Sequence, residues 1–420
     1  MEKKLGSIVS PRACWPRKGD IIFDLAGRAK RAIEEKGLEN VIDATIGALT
    51  YENGDLICMN SVFDVFKNLD NERIAAYAAL AGEPKYIEAV IDACFREYKP
   101  NAHLRAVATP GGTGALKNTI FNYTEEGDTI LTSDWYWSPY QTILEEYGRK
   151  LTTYPLFKED GEYNAEGLVA GAKELAKTQE RILTIINSPA HNPTGFSLDL
   201  NDWDKVLDGL KEIASKDDKK VILMVDVAYI DFAGDNGTER EFFKKFENLP
   251  ENMIVVVAFS MSKSYTMYGL RCGAAICIAP TEDRAEEFMY ANLHSGRASW
   301  SNVTRGAMEV MIELMENKEK QEAYMKEKEE FKQMLKRRAA AFCKSAAEVG
   351  LEILPYRDGF FVSIPCKDSK ALVEELCKED LYCVPLAKGV RFAVCAVSEE
   401  KCIKSAKMIK RVFDQNKQYV

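Results

Sequence analysis

Several residues that could do chemistry together stand directly behind short apolar runs. Lys263 lies in Ser260-Met261-Ser262-Lys263, after the run IVVVAF, and Arg271 follows eight residues later within Gly269-Leu270-Arg271-Cys272-Gly273. A lysine is ordinarily a solvated surface charge. One that is partly desolvated, or held near a second cation, has a depressed pKa, and its amine can form a Schiff base with a carbonyl. Asp226 closes the run VILMV, with Tyr229 three residues on. A carboxylate in that position caps a helix, ligates a loop, or holds a protonated ring nitrogen so that a heterocycle can accept electrons. Tyr229 would then hydrogen-bond an oxygen on the ring. Asn187 closes ILTII, and Asn192 is five residues further.

Gly111-Gly112-Thr113-Gly114-Ala115-Leu116 leads into a segment of helical appearance, Leu116–Tyr123. A glycine turn that opens a helix points unpaired N–H groups at an anion, and the helix dipole assists. The same residues also read as a plain capped turn. The segment lacks the GxxxxGK[ST] pattern and the third glycine of GxGxxG, which argues against a nucleotide or dinucleotide loop. Ser260 and Arg271 could complete a phosphate cup, since a guanidinium holds oxyanions bidentately. Trp137, in Asp134-Trp135-Tyr136-Trp137-Ser138-Pro139-Tyr140, is either core or a stacking partner for a planar ring. His103, His191 and His294 are far apart and no HExxH occurs, so no metal site is expected.

The elements that must position these groups follow from the apolar pattern. Thr129–Thr132, Ile182–Ile186, Val221–Val225, Ile254–Ala258 and Ala274–Ile278 are short and mostly non-alternating, as strands covered on both faces are. Helical periodicity lies between several of them, as in Leu200–Ser215. Strand, helix and strand in series predict an α/β unit with a mostly parallel sheet flanked by helices. In such sheets ligands sit at the carboxyl ends of the strands. That gathers Trp137, Asn192, Asp226, Tyr229, Ser260 and Lys263 around one pocket.

Beyond Asn317 the chain turns Lys-, Glu- and Gln-rich, with Phe331, Met334, Leu335, Ala339 and Phe342 on one helical stripe. The charge run Lys318–Lys332 reads as a solvated helix face. Leu351–Leu354, Gly359–Ile364, a helix around Ser369–Cys377, a strand near Leu381–Val384, and Val390–Val394 suit a smaller α+β domain. The N-terminal segment is expected to join it, giving a small domain from 1–55 and 326–420 around a large domain at 56–325.

With 420 residues, 46% hydrophobic and 29% charged, the chain can bury a sizeable core. A net charge of −9 argues against nucleic acid or an anionic membrane as the main partner. No apolar stretch approaches the roughly 20 residues that span a bilayer. The N-terminus has no apolar signal region, and the eleven cysteines form no CxxC pair; both fit a cytoplasmic protein with reduced thiols.

Taken together, these residues resemble the pyridoxal-phosphate-dependent aminotransferases of fold type I, most closely the class I aspartate/aromatic branch. The resemblance runs through nearly the whole chain, in order. Gly47, in Thr45-Ile46-Gly47-Ala48, matches the turn that closes over substrate. Tyr77 matches a tyrosine that reaches the phosphate of the neighbouring subunit. Gly112 and Thr113 match the phosphate loop, and Trp137 the stacking tryptophan. Ala190-His191-Asn192-Pro193-Thr194-Gly195 looks like the family's AHNPTG, whose asparagine bonds the cofactor ring oxygen. Asp226 and Tyr229 match the partners of the pyridine nitrogen and ring oxygen. Ser260, Lys263 and Arg271 match the phosphate serine, the Schiff-base lysine and the phosphate arginine. Arg391 matches the clamp for the substrate α-carboxylate. Arg297 looks like the arginine that some members donate across a dimer to a second carboxylate.

The resemblance implies pyridoxal 5'-phosphate as cofactor and a homodimer with shared sites. It implies ping-pong transamination between an amino acid, aspartate/glutamate or aromatic, and a 2-oxo acid. Lys263, Asp226 and Tyr229 would be the catalytic set. Two features depart from the family pattern. Gly111 replaces a common serine, and the histidine that often backs the ring aspartate is missing, which leaves open whether Tyr140 takes its place. A pyridoxal-phosphate β-lyase on the same scaffold and a non-catalytic pyridoxal-phosphate-binding protein are the alternatives.

Overall fold

The computed structural model describes residues 8–15, 19–216, 219–235 and 237–416. Its strands are β1 (Ile42–Asp43), β2 (His103–Thr109), β3 (Thr129–Ser133), β4 (Lys150–Tyr154), β5 (Arg181–Asn187), β6 (Lys220–Asp226), β7 (Met253–Ser260), β8 (Gly273–Ala279), β9 (Phe361–Pro365), β10 (Leu381–Tyr382), β11 (Val384–Leu386) and β12 (Gly389–Ala393). Seven of them form one sheet in the order β2-β8-β7-β6-β5-β3-β4. Only β8 is reversed, running antiparallel to both β2 and β7. The remaining pairings are parallel.

The non-alternating apolar runs are explained by helices on both faces. Successive strand side chains point to opposite sides. In β6, Val221, Leu223 and Val225 enter one core, while Ile222 and Met224 enter the other. In β7 the split is Val255, Val257 and Phe259 against Ile254, Val256 and Ala258. Every residue of β7 and β8 is buried. The parallel register sets Asn187 beside Asp226 and Asp226 beside Ala258, so the polar strand ends line up at one edge of the sheet.

The two ends of the chain meet in a second core. β1 pairs in parallel with β10, Ile42 against Leu381. β11, β12 and β9 make a three-stranded antiparallel sheet. Leu25, Val41, Phe342, Leu372, Phe392 and Ile409 pack together there, drawn from both termini and from the long helix Lys318–Val349.

Leu351–Leu354 is irregular backbone, tied at its end by the Leu354 N–H to the Ser363 carbonyl at 2.9 Å. Three local expectations are corrected. The single strand expected near Leu381–Val384 is two short ones that serve different sheets, with Cys383 between them. The helix expected from Leu116 begins at Gly111, so the glycines are its first turn. The charge run on the long helix is not solvated throughout: Lys328 and Lys332 are buried, because Asp231 and its neighbours lie beneath that face.

Candidate active site

At the carboxyl ends of β5, β6 and β7 lies a cavity of about 350 Å³. Gly112, Thr113, Trp137, Asn192, Asp226, Tyr229, Ser260, Lys263 and Arg271 all border it. Gly47 and Arg391 adjoin it through hydrogen bonds described below. Tyr77 and Arg297 do not border it. Tyr77 is 89% exposed, and Arg297, also exposed, bonds Ser301 at 2.5 Å and no other side chain among the described residues.

Lys263 sits in a single helical turn, Met261–Ser264, capped by Ser260, whose hydroxyl accepts from the Ser262 N–H at 3.2 Å. Its ammonium donates to the Gly47 carbonyl and lies 4.9 Å from the centre of the Tyr268 ring. Desolvation pulls the amine down to about 8, and the nearby Arg391 and Arg271 guanidinium groups add to the drop. A lysine in that range has a usable fraction of neutral amine near pH 7.

One wall of the cavity is built for an oxyanion. The helix Gly111–Asn122 aims its N-terminus into the space, and Ser260 and Arg271 stand opposite. Gly111 adopts φ +68, and a Cβ there would meet the Arg271 guanidinium at 2.5 Å. Glycine in place of serine therefore makes room for the arginine. Arg271 is fixed by bonds from its Nη1 to Ser262 Oγ at 3.0 Å and to the Tyr268 carbonyl at 2.8 Å.

Behind the cavity Asp226 is buried. Its Oδ2 accepts from the Tyr140 hydroxyl at 2.8 Å and its Oδ1 from the Ala228 N–H at 3.1 Å. Burial raises its carboxyl, while these two bonds partly offset the rise. Tyr140 is placed by the helix Pro139–Glu146 and meets Trp137 edge-on at 5.6 Å.

Asn192 connects the two halves of the site. Its N–H donates to Asn187 Oδ1 at 2.6 Å, its amide to the Tyr229 hydroxyl at 3.3 Å, and its Oδ1 accepts from Arg391 at 3.2 Å. Arg391 also donates to the Thr45 carbonyl at 2.8 Å and stacks its guanidinium 4.3 Å over the Phe361 ring. Its Nε is buried and has no partner among the described residues. An orphan guanidinium donor beside such a cavity suits an incoming carboxylate. Gly47 is required on packing grounds, since a Cβ there would lie 2.4 Å from the Phe361 ring. His191 is a buried neutral ring bonded to Thr194 and is held to about 3 by desolvation, so it contributes no proton chemistry.

Four residues at the site escaped the sequence reading as ligands: Phe23, Asn187, Ser262 and Tyr268; Tyr140, left open there as a stand-in for the missing histidine, bonds Asp226. Asn187 carried the same strand-end signal as Asp226. Phe23 carried none, because the first turn of the helix Ile21–Lys36 reaches the cavity only through the tertiary fold.

The residues fit a phosphorylated, carbonyl-bearing pyridine. The phosphate would meet the Gly112, Thr113, Ser260 and Arg271 cradle, the ring nitrogen Asp226, and the carbonyl Lys263.

Comparison with known proteins agrees. A family model described as aminotransferase class I and II matches residues 39–409. The crystal structure of an aminotransferase from Anaerococcus prevotii is 44% identical, covers 98% of this chain and 100% of its own, and superimposes with a TM-score of 0.95. An aromatic-amino-acid aminotransferase from Burkholderia pseudomallei, covalently bound to pyridoxal phosphate, shares the fold at 20% identity and a TM-score of 0.77, covering 95% of this chain and 98% of its own. The aromatic-amino-acid aminotransferase of Pseudomonas aeruginosa is 28% identical over 218 residues, 51% of this chain and 51% of that one. That alignment spans about half the length of the curated relative.

Proposed function

The chain belongs to the aminotransferase class I and II family, and from that premise we propose that it moves an amino group from an amino acid to a 2-oxo acid, using pyridoxal 5'-phosphate. When bound, the cofactor supplies an aldehyde that captures amino groups and a ring that accepts an electron pair. The observation that carries this reading is that Lys263, with its lowered pKa, shares one cavity with buried Asp226 and with the cradle of Gly112, Ser260 and Arg271.

The protein's own groups divide the work. Lys263 holds the cofactor through its amine. Gly112, Thr113, Ser260 and Arg271 would bind the phosphate, and Trp137 would offer its ring as a stacking surface. Asp226 keeps the ring nitrogen protonated, and Asn192 and Tyr229 bond the ring oxygen. Arg391 binds the substrate α-carboxylate and so orients the α-C–H bond toward Lys263. Lys263 Nζ, facing the bound substrate, would be the group that takes the α-proton and later returns it. Neutral amine is needed for the first transfer, and the electrostatic setting of Lys263 supports that role. Gly47 closes the substrate side.

The partner assignments extend this reading. A homodimer with shared sites accounts for Tyr77 and Arg297, which are exposed and border no part of their own subunit's cavity. Tyr77 would reach a phosphate, and Arg297 a second carboxylate, across the interface. Aspartate, glutamate and aromatic amino acids are the donors proposed. The chain would divide into 1–55 with 326–420 around 56–325, in keeping with the pairing of β1 and β10. Seven cysteines buried as thiols suit a cytoplasmic setting. Among the described residues no helix is long and apolar enough to cross a membrane.

The test is a half-reaction screen: purified protein loaded with cofactor is mixed with each amino acid, and the change in cofactor absorbance is followed. Conversion that is restored by a 2-oxo acid supports transamination. Release of pyruvate and ammonia without any need for a 2-oxo acid would assign a β-lyase instead.

A further inference from the structure

The guanidinium of Arg391 is directed by two acceptors. Its Nη1 donates to Asn192 Oδ1 at 3.2 Å and its Nη2 to the Thr45 carbonyl at 2.8 Å. The five N–H donors of an arginine share one rigid plane, so two fixed acceptors set where the remaining donors point. Asn192 is itself fixed through Asn187 and Tyr229. The group that fixes Thr45 is Asp43, which does not border the catalytic cavity and has no part in the chemistry above.

Thr45 lies just past β1, where strand pairing runs out. Ala44 still bonds on both sides: its N–H donates to the Tyr382 carbonyl at 2.8 Å, and its carbonyl accepts from the Ala393 N–H at 3.1 Å. The next N–H, that of Thr45, goes to a side chain instead. Asp43 Oδ1 accepts from it at 3.0 Å and from the Thr45 hydroxyl at 2.6 Å. Thr45 is fully buried, so an unmet N–H there would be costly. Burial also raises the Asp43 carboxyl, and the two Thr45 bonds oppose the rise. With its N–H and hydroxyl both pinned to one oxygen, Thr45 has little freedom to rotate, and its carbonyl stays on Arg391.

We propose that Asp43 is a positioning residue for the substrate carboxylate: it holds Thr45 so that the Thr45 carbonyl aims the Arg391 guanidinium. The proposal rests on the transamination reading given above and adds a residue that acts only through Arg391.

The test is steady-state kinetics of the cofactor-loaded full chain with an amino acid that it converts. Asp43→Ala should raise KM about tenfold with kcat and cofactor affinity within about twofold, because the group it aims binds substrate and does no proton transfer. Asp43→Asn, whose amide oxygen can accept the same two bonds, should bring KM back to within about threefold. In an Arg391→Leu background, Asp43→Ala should change KM by less than about twofold, since the group it aims is gone. Thr45→Val keeps the N–H bond and loses the hydroxyl bond, and should raise KM about threefold; it decides the matter if Asp43→Ala fails to fold. The proposal is overturned by an unchanged KM in Asp43→Ala or in Thr45→Val, by no recovery in Asp43→Asn, or by the same rise in KM with Arg391 absent. It is also overturned if kcat and cofactor affinity fall along with substrate binding, which would mark general damage. An unmodified chain that binds cofactor and converts no amino acid would instead remove the transamination reading, and this proposal with it.

Discussion

The hydroxyl of Tyr140 donates to Oδ2 of Asp226 at 2.8 Å, and both residues are buried. A tyrosine so buried, with its pKa raised further by Asp226, keeps its proton and acts only as a donor. Tyr140→Phe leaves Oδ2 without that donor. An unmet buried acceptor costs about 1–3 kcal/mol, so cofactor affinity should fall roughly 5- to 150-fold. The carboxyl of Asp226 should also rise further, because a bond that lowers it is gone. Retention of cofactor, followed by absorbance from neutral to acid pH, should then fail at a higher pH in the variant. An unchanged profile would show that Tyr140 only fills space.

The lowered pKa of Lys263 gives a signed pH effect on the cofactor-free protein. In the unfolded chain the amine stays protonated to about 10.5, while in the folded chain it loses its proton near 8. Between these values the unfolded state binds more protons, so stability from this group rises with pH across the window. The rate of covalent cofactor capture should climb as the amine becomes neutral and level off above pH 8. Denaturant midpoints and absorbance changes after mixing measure the two effects. Lys263→Ala should abolish transamination while retaining some cofactor affinity, and borohydride labelling should move to no other residue.

Arg391→Leu removes a guanidinium that bonds Asn192 and Thr45 and whose Nε has no partner among the described residues. A hydrogen bond to a charged group contributes about 1.5–3 kcal/mol, so kcat/KM for amino acids should drop roughly 10- to 150-fold, mostly through KM. Arg391→Lys should recover little, since an ammonium lacks the planar fork. Steady-state kinetics against substrate concentration decide the split.

Arg297→Leu tests the second carboxylate. If the partner subunit's site uses this exposed group, aspartate and glutamate should lose about tenfold or more in kcat/KM while aromatic substrates change little. Equal losses for all substrates would place the side chain elsewhere.

Asp231→Asn should destabilise the fold by about 3–5 kcal/mol, because it leaves the Arg96, Arg240 and Lys328 charges without the anion they share. Burial alone would raise the Asp231 carboxyl, but Lys328, Arg240 and Arg96 together hold it well below its ordinary value. Its stabilising contribution is complete above the unfolded carboxyl pKa and is lost as pH falls toward the folded one. The difference in melting temperature between the unmodified chain and Asp231→Asn should therefore narrow in acid.

The sequence by itself determined the central strands and which polar residues meet at their ends. Apolar runs of the length of Val221–Val225 and Ile254–Ala258 have few alternatives to a covered sheet, and polar residues directly behind them must emerge at its carboxyl edge. Asp226, Asn192, Ser260 and Lys263 were legible for that reason. What needed the tertiary structure was every relationship between distant segments. Tyr140 reaches Asp226 only because its helix packs into the same core as Ile222 and Met224 of β6. The Gly47 carbonyl meets Lys263 across 216 residues of chain. Lys328 looked solvated because helical periodicity records where a side chain projects, not what packs against it; an acidic knot on the opposite segment decided that. β8 ran against its neighbours although its composition matched theirs, since apolar content fixes burial and leaves direction to the connections.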